Sequence, residues 1–413
     1  MAYTYEFLSV ENIPAYLASR PELVDVLNAK SLTDIREVGD GNLNLVFIIK
    51  DDEGHGVVLK QALPYVRLVG PDWPMYPDRA RIEYRTTLTH SKAAPGLVPE
   101  IYFFDVDRYI IAMEDLSDHT VWRTALNAGE VNDGTAAAIG GYIAKTAFAT
   151  SLFGCGSESH KKAMAQSINP EICLITEDLV FTEPYFPNGR NSVLPENEVD
   201  AQAIIDDDFM KLEMGVLKFK FMTECQSLIH GDLHTGSVMV KSGADGTNIS
   251  TKAFDSEFSM YGPIGFDIGA LLANFYIAMA RSTALNRREH LNFLIHLPVQ
   301  AWDSFESNFR TLWPTRVDKR VFSDELLDVL LEHWKADALG FAAAKMTRRI
   351  VGLAKTSDIE TLEPALRTGA ARGVLKSAQY IVRERHNTTD IARITSVVVM
   401  ILNENATRTD EQS

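Results

Sequence analysis

The sequence predicts an α+β fold of two lobes, a small antiparallel-sheet lobe followed by a larger, mainly helical lobe. Two observations lead to this prediction: short strand-like runs separated by turn residues dominate before residue 115, and long segments of helical periodicity follow it. At 413 residues, 46% of them hydrophobic, the chain is large enough for two cores. We therefore expect lobes at 1–115 and 116–405, joined through 114–117, and a disordered tail at 406–413.

Two hairpins and one helix are predicted in the small lobe. The runs NLNLVFIIK (42–50) and GVVLKQAL (56–63) flank the turn-like DDEGHG, and EIYFFDVD (100–107) pairs with RYIIAME (108–114). Between the hairpins a helix is expected from about 77 to 92, because Gly96 and Pro99 follow soon after its end.

The large lobe is predicted to be helical except for one loop. Its periodic segments lie near 133–153, 197–227, 264–281, 286–310, 323–356, 361–386 and 389–404. The exception is HGDLHTGS (230–237), which lies between two short strand-like runs.

Composition limits the classes of function. A formal charge of −16 argues against nucleic acid as a partner. The N-terminus lacks a basic, apolar leader, and the longest apolar run, 266–280, is too short to span a bilayer, so no membrane association is expected. Three widely spaced cysteines indicate neither a disulfide framework nor a zinc site. A cytoplasmic protein is predicted.

The loop 230–237 holds the first candidate catalytic residue, Asp232. The segment is short and irregular, which suits a carboxylate held at a fixed angle beside a reacting group. Asp and Gly are also ordinary turn residues, so HGD alone leaves a purely structural turn open. A second acidic element, FDSEF, follows with Asp255 and Glu257 two positions apart. In an extended segment both carboxylates would point to one side, where a cation such as Mg²⁺ would neutralise them.

A phosphate-binding element is predicted in the small lobe. Gly39 and Gly41 lie in a tight turn between apolar runs, where backbone N–H groups can approach phosphate. Lys60 ends the run GVVLK on the returning strand, from which it can reach phosphate oxygens. Glycine turn, strand Lys, loop Asp and paired acids occur in the order that phosphoryl transfer from ATP requires. The patterns GxxxxGK[ST] and GxGxxG opening a helix are absent.

Several stretches together resemble the methylthioribose kinase family, in the aminoglycoside-phosphotransferase and choline-kinase branch of the bilobal protein-kinase-like fold. They are EVGDGNLNLVF, VVLKQALPYVR, PDWPMYPDRARIEYR, MEDLSDHTVWR, HGDLHTGSVMV, DSEFSMYGPIGFDIGALLANF and KMTRRIVGLAK. The resemblance covers nearly all of the chain. It implies a homodimer that phosphorylates the anomeric 1-hydroxyl of 5-methylthioribose with MgATP, for methionine salvage.

The resemblance also implies roles for individual residues. Asp232 would accept or orient the sugar hydroxyl proton, and Asp255 and Glu257 would hold Mg²⁺. The groups that would bind ATP are Gly39, Asp40, Gly41, Asn42, Lys60, Glu114, Asp115 and Leu116. The sugar would contact Asp232, Arg348, Arg349, Trp73 and Asn44. Glu83 would hold Lys60, and His230 would organise the loop. Ser237 departs from the wider branch, in which Asn at this position ligates metal. The number of bound Mg²⁺ ions, one or two, therefore stays open.

By themselves Arg348 and Arg349 would be an ordinary pair on a helix surface, and it is the resemblance that implies a contact with the acceptor. On a helix they diverge by about 100°, so they can span the corner of a pocket but cannot form one flat clamp. Two guanidinium groups would repel cationic acceptors and suit a neutral polyol that becomes a phosphate ester. Other acceptors, such as choline, homoserine or an aminoglycoside, stay open, as does a non-catalytic nucleotide-binding protein. The latter typically lacks the base, the Lys or a metal ligand, and all of these are present here.

Overall fold

A five-stranded antiparallel sheet forms the N-terminal part of the structure, a computed structural model that describes residues 5–39, 43–67, 69–187 and 190–407. The sheet order is β1-β2-β3-β5-β4. Its strands are β1 (Leu32–Glu37), β2 (Asn44–Asp51), β3 (Gly56–Ala62), β4 (Ile101–Asp105) and β5 (Ile110–Glu114). Both predicted hairpins are therefore confirmed.

Two helices cover the sheet. Helix α1 (Ile13–Ala18) packs on one face through a cluster that includes Phe47 and Leu59, and helix α2 (Arg79–Ala93) packs on the other. Because both faces are covered, β3 is buried along nearly its whole length. Helix α2 lies within two residues of its predicted bounds, whereas α1 and β1 had no counterpart in the sequence prediction.

The remainder is mainly helical, as predicted. Its helices are α3 (Trp122–Ala128), α4 (Thr135–Thr150), α5 (Leu152–Cys155), α6 (Ser157–Ala165), α7 (Pro170–Phe181), α8 (Glu198–Ile205), α9 (Asp208–Thr223), α10 (Gly265–Ala284), α11 (Arg288–Leu294), α12 (Leu297–Leu312), α13 (Asp324–Ile350), α14 (Ser357–Glu360), α15 (Pro364–Glu384) and α16 (Ile391–Asn405). Short strands β6 (Thr120–Val121), β7 (Ser227–Ile229), β8 (Val238–Ser242), β9 (Asn248–Ala253) and β10 (Met260–Gly262) lie among them.

Two segments predicted as single helices are each broken in two. The segment 197–227 forms α8 and α9, because the Asp207 side chain accepts a hydrogen bond from the N–H of Met210 at 3.0 Å and starts a new helix. The segment 286–310 forms α11 and α12, and Pro298 lies in the first turn of α12. Of the predicted tail, residues 408–413 lie outside the described residues.

Helices α10 and α13 cross at the centre of the helical core. The contact is close because Gly269 faces α13, where an added Cβ would lie 2.6 Å from Cβ of Phe341. Residues of α10 are buried nearly all round. None of the helices in the described part of the chain is long and apolar enough to cross a bilayer.

Candidate active site

The loop that carries Asp232 connects β7 and β8, two strands that belong to different small sheets. Asp267, in the first turn of α10, accepts the backbone N–H groups of His230 at 2.7 Å and Gly231 at 3.0 Å. Asp267 is buried, and burial raises its pKa while His230 and the two N–H groups oppose that shift. The loop is thus fixed by a buried carboxylate that the sequence analysis did not assign to the site.

Gly231 and His230 join this loop to the segment of Asp255. Gly231 has a φ of 86°, and an added Cβ would lie 2.0 Å from the carbonyl oxygen of Phe258, so only glycine fits. The buried His230 places Nε2 2.9 Å from the carbonyl oxygen of Phe254. His230 therefore links the loop of Asp232 to the segment that leads to Asp255. Ser237 is also buried, and its Oγ lies 3.1 Å from Nδ1 of His234.

Asp232 faces a buried cation from α13. Nζ of Lys345 donates to Oδ1 of Asp232 at 2.8 Å, and Nε2 of His234 lies 3.4 Å from Oδ2. Burial opposes ionisation of Asp232, but Lys345 and the nearby Arg349 and Arg348 lower its pKa well below the usual range. For His234, burial lowers the pKa, so its imidazole is neutral at pH 7. Asp232 is therefore an ionised carboxylate.

Arg348 and Arg349 are buried on the same face of α13 as Lys345. Nε and Nη1 of Arg348 are buried without a hydrogen-bond partner in the described structure, whereas Nη1 of Arg349 donates to the carbonyl oxygen of Lys355 at 3.2 Å. A further guanidinium comes from Arg123 on α3, whose Nε lies 3.2 Å from Oδ2 of Asp358. Burial, Arg348 and Arg123 all lower the pKa of Arg349. This end of the site therefore holds excess positive charge and can receive an anion.

Lys60 lies on β3 among carboxylates. Its Nζ lies 2.7 Å from Oε2 of Glu83 and contacts Oδ1 of Asp255. Burial opposes the charge of Lys60, but Asp255, Glu83 and Glu257 raise its pKa above the ordinary value. Burial raises the pKa of Glu83 to about 7, and Lys60 opposes that shift. The structure thus brings Lys60, Glu83 and Asp255 together.

Glu257 contacts the sheet region rather than Asp255. Its Oε2 accepts from Nε of Arg79 at 3.1 Å and from Nδ2 of Asn44 at 3.0 Å, and all three side chains are buried. Arg79, at the start of α2, also bonds Oδ1 of Asn44 at 3.1 Å. Asn44, expected to contact the sugar, thus lies beside Glu257. The other carboxylate oxygen of Glu257, Oε1, takes part in neither the bond with Arg79 nor the bond with Asn44.

The expected extended geometry of the acidic pair is wrong. Strand β9 ends at Ala253, and Asp255 has a φ of 67°, in the left-handed region. The segment is therefore not a strand, and the rule that side chains two positions apart point to the same side does not apply to Asp255 and Glu257. Left-handed backbone at a non-glycine residue is strained and persists where surrounding contacts hold it, which here include Lys60. No cluster of three or more His, Cys, Asp and Glu forms a metal site within the described ranges.

The predicted nucleotide-binding segments lie around the sheet. Gly39 is exposed and follows β1, and Asp40, Gly41 and Asn42 lie outside the described residues. At the end of β5, Oε2 of Glu114 lies 2.7 Å from Nζ of Lys252. Asp115 and the buried Leu116 follow, at the chain connection between the sheet and the helices. The side chain of Asp115 accepts the N–H of Ser117 at 2.9 Å.

Trp73 lies apart from the arginine pair. It packs with Ile172 of α7, and the Cζ atom of Arg190 lies 5.6 Å from its ring centroid. Trp73 lines a cavity of about 190 Å³ whose lining does not include Asp232, Arg348 or Arg349. In the structure Trp73 packs against α7 and does not reach the arginine pair.

Sequence reasoning missed Lys345, Asp267, Arg79 and Arg123. All four occur in stretches that were singled out, Arg123 as the last residue of MEDLSDHTVWR. Lys345 and Asp267 are charged residues inside apolar helical runs, where an unpaired charge would be costly. Arg123 does not lie inside an apolar helical run, so its charge alone did not indicate a buried partner.

Residues 34–304 match the APH family model, which describes a phosphotransferase enzyme family. The match covers more than half of the chain, so the chain is a phosphotransferase of the APH class, with the protein-kinase-like fold. A methylthioribose kinase of Geobacillus kaustophilus (strain HTA426) is 41% identical over 85% of this chain and 87% of its own. One from Yersinia pestis (strain Pestoides F) is 38% identical over 82% and 83%. The chain belongs to the methylthioribose kinase family.

Among solved structures, a choline/ethanolamine kinase family protein from Mesorhizobium loti is similar at a TM-score of 0.43. Its sequence is 14% identical over 94% of this chain and 99% of that chain.

Proposed function

We propose that the protein transfers the γ-phosphoryl group of ATP to the anomeric 1-hydroxyl of 5-methylthioribose, giving the 1-phosphate for methionine salvage. The observation that carries the proposal is the ionised carboxylate of Asp232 beside the buried guanidinium groups of Arg348 and Arg349. A carboxylate suits an acceptor hydroxyl, and guanidinium groups suit the phosphate ester that forms. The relatives named methylthioribose kinase supply the identity of the sugar.

In this mechanism Asp232 accepts the hydroxyl proton as the sugar oxygen bonds to the γ-phosphorus. The bond from that phosphorus to the β,γ-bridging oxygen breaks, and ADP leaves with the electron pair. The nitrogens of Arg348 that lack partners donate hydrogen bonds to the phosphoryl oxygens. They stabilise the negative charge of the phosphoryl group as it moves toward the sugar. Catalysis then consists mainly of positioning and charge stabilisation.

Asp255 and Glu257 are the proposed Mg²⁺ ligands. The residues fit a divalent cation, because the described side chains around Lys60 include three carboxylates, Glu83, Asp255 and Glu257, against the cations Lys60 and Arg79. Two protein carboxylates completed by phosphate oxygens are a common Mg²⁺ arrangement. When bound, the ion neutralises charge on the ATP phosphates.

The remaining ATP contacts are proposed from the resemblance to the family. We propose that 1–115 forms the nucleotide-covering lobe and 116–405 the catalytic lobe. Lys60 would contact the α- and β-phosphates, and the turn 39–42 would cover them. Backbone groups of Glu114, Asp115 and Leu116 would bind adenine.

A cytoplasmic homodimer completes the proposal. One face of α9 carries five exposed apolar side chains at helical spacing, namely Phe209, Leu212, Val216, Phe219 and Met222. A contiguous apolar stripe of this kind is typical of a protein–protein interface. A two-fold interface would cover the stripe of each subunit with that of the other.

The acceptor is tested by ATP consumption with 5-methylthioribose, ribose, choline and kanamycin, with phosphorus NMR to assign the new ester. We expect 5-methylthioribose to be used best and the phosphate to be on carbon 1. Choline and kanamycin are cationic and should be poor acceptors, because Arg348 and Arg349 would repel them. Faster use of either cation would contradict the proposed acceptor, and an ester at another carbon would contradict the proposed position.

A further inference from the structure

Lys345 is a buried cation that the mechanism above does not use. Its side chain is 5% exposed, its Nζ lies 2.8 Å from Oδ1 of Asp232, and the same Nζ lies 4.8 Å from the ring centroid of Phe266. Residue 345 lies beyond the part of the chain that matches the APH family model, 34–304. The lysine reaches Asp232 from α13, at a sequence separation of 113 residues.

We propose that Lys345 is a positioning residue for Asp232, which keeps the carboxylate ionised and directs its second oxygen, Oδ2, toward the acceptor hydroxyl. The inference rests on the proposed function, in which Asp232 accepts that proton. Because Oδ1 is engaged by Nζ of Lys345, Oδ2 is the oxygen that takes the proton when the sugar oxygen bonds to phosphorus.

The charged surroundings support this role. Burial alone would favour the neutral acid, which cannot accept a proton, so Asp232 requires a cation close to it. The titratable and charged groups around Asp232 come from four elements: His230 and His234 from its own loop, Lys345, Arg348 and Arg349 from α13, Arg123 from α3, and Asp267 from α10. Lys345 makes the short contact, and the arginines act from farther away.

An ion pair with a purely structural role would not need three cations on one buried face of α13. Lys345, Arg348 and Arg349 occupy positions i, i+3 and i+4 of α13, so three cations share one buried face. The described carboxylates near them are Asp232, Asp358 and the buried Asp267, and Asp267 is already used by two backbone N–H groups. If Lys345 served only to satisfy Asp232, neither group would need a place beside unpartnered nitrogens of Arg348.

The test replaces Lys345 by Met, which keeps an unbranched side chain and removes the charge. For K345M we expect kcat to fall about 10-fold or more, because the base is no longer oriented. The acid limb of the kcat/KM profile should move to higher pH by about one unit or more, because without the ammonium Asp232 takes up a proton more readily. K345R should recover part of the loss, because it restores charge but not the geometry of an ammonium.

Lys335 offers a matched control on the same helix. It pairs with Glu332 at 3.0 Å, in a part of α13 away from Asp232. K335M should keep the wild-type pH profile and turnover within about twofold, because the contacts of Lys335, with Glu332 and with the ring of Trp302, do not involve Asp232.

A double-mutant cycle separates action through Asp232 from a general effect. Asp232→Asn alone should lower turnover about 100-fold or more while ATP binding without sugar stays near normal. In that background, adding K345M should cost less than about threefold further, because the partner is already lost. Full additivity of the two losses would overturn the positioning role.

A second readout needs no turnover. Carbon-13 NMR of Asp-labelled protein, with the Asp232 signal assigned by its loss in D232N, gives the carboxyl pKa directly. K345M should raise it, and K345Q, which also removes the charge, serves if K345M does not fold. An unchanged Asp232 pKa overturns the inference even if the enzyme uses 5-methylthioribose. A raised pKa supports it even if that sugar proves not to be the acceptor.

Discussion

At the scale of single residues, Arg348 combines burial with unused hydrogen-bonding capacity. Leaving buried N–H groups without acceptors is unfavourable by about 1–3 kcal/mol each, so a protein keeps them where a ligand will satisfy them. Arg349, its neighbour, already donates to the carbonyl oxygen of Lys355. The two arginines are therefore not equivalent.

This difference gives a prediction for Arg348→Ala and Arg349→Ala. Both should raise the sugar KM and leave ATP binding without sugar near normal, since neither contacts Lys60. Arg348→Ala should also lower kcat, by about 10-fold or more, because its free nitrogens meet charge that develops during transfer. Arg348→Lys should rescue poorly, because an ammonium lacks the guanidinium fork. Steady-state kinetics with both substrates measure these effects, and wild-type kinetics for both Ala variants would remove the support for the acceptor pocket.

Asp255 and Glu257 differ in a way that one experiment can measure. Each Ala variant should raise the Mg²⁺ concentration needed for half-maximal activity, because each removes a carboxylate ligand. Only E257A should greatly lower the free energy of unfolding, by roughly 3–5 kcal/mol, because it leaves Arg79 as an unpaired buried charge.

The Asp255 side chain is 43% exposed, and its partner Lys60 retains Glu83, so D255A should lose less than about 1 kcal/mol. Magnesium titration and urea unfolding of both variants, each compared with wild type, measure the two effects separately. Unchanged Mg²⁺ requirements in both variants would mean that the metal is bound elsewhere.

At the scale of elements, two helices supply the charged groups that complete the site. Helix α2 contributes Arg79 and Glu83, four residues apart, and α13 contributes Lys345 together with Arg348 and Arg349. Each helix therefore presents its charges on one face toward the loops of Asp232 and Asp255. The loop of Asp232 itself has little regular structure and depends on α10, through Asp267, for its position.

The dependence of the loop on close packing is tested at Gly231. Gly231→Ala should lose roughly 2–5 kcal/mol of unfolding free energy, because a left-handed residue and an overlap with the Phe258 carbonyl group are both unfavourable. Gly96→Ala is the control: Gly96 has a φ of 78° but no atom within 4 Å of an added Cβ, so only the conformational term, about 1–2 kcal/mol, applies. Equal losses in urea unfolding would show that the overlap relaxes.

Elements and motifs were predictable from sequence to different degrees. Hairpins were predicted well because their turns are local, and Asp232 could be chosen as a candidate because HGDLHTGS is continuous in sequence. The break between α8 and α9 was missed because the apolar periodicity continues across it, although the acid run before α9 is a capping signal. The contact between Lys345 and Asp232 joins residues 113 apart, so no local pattern contains it. What could be predicted was that a lysine within the apolar run of α13 needs a partner.

At the scale of the whole molecule, charge of opposite sign gathers at the two ends of the site. Around Lys60 the described carboxylates outnumber the cations, whereas around Asp232 the cations Lys345, Arg348, Arg349 and Arg123 outnumber the carboxylates. His230 links the two ends through its contact with the Phe254 carbonyl group. A phosphoryl group that leaves metal-bound ATP would thus move toward excess positive charge, although the chain as a whole carries −16.

The apolar stripe of α9 leads to the prediction for the assembled protein. Leu212 and Phe219 are 64% and 68% exposed, and burying such side chains is favourable by about 1.5–3 kcal/mol each, counted twice in a symmetric dimer. The double variant Leu212→Glu, Phe219→Glu should therefore sediment as a monomer at concentrations where the wild-type protein is a dimer. Ile249→Glu, at a 64% exposed residue of β9, is the control and should stay dimeric. A wild-type protein that is monomeric at all concentrations would contradict the dimer itself, whereas dimeric stripe variants would mean that the subunits associate through another surface.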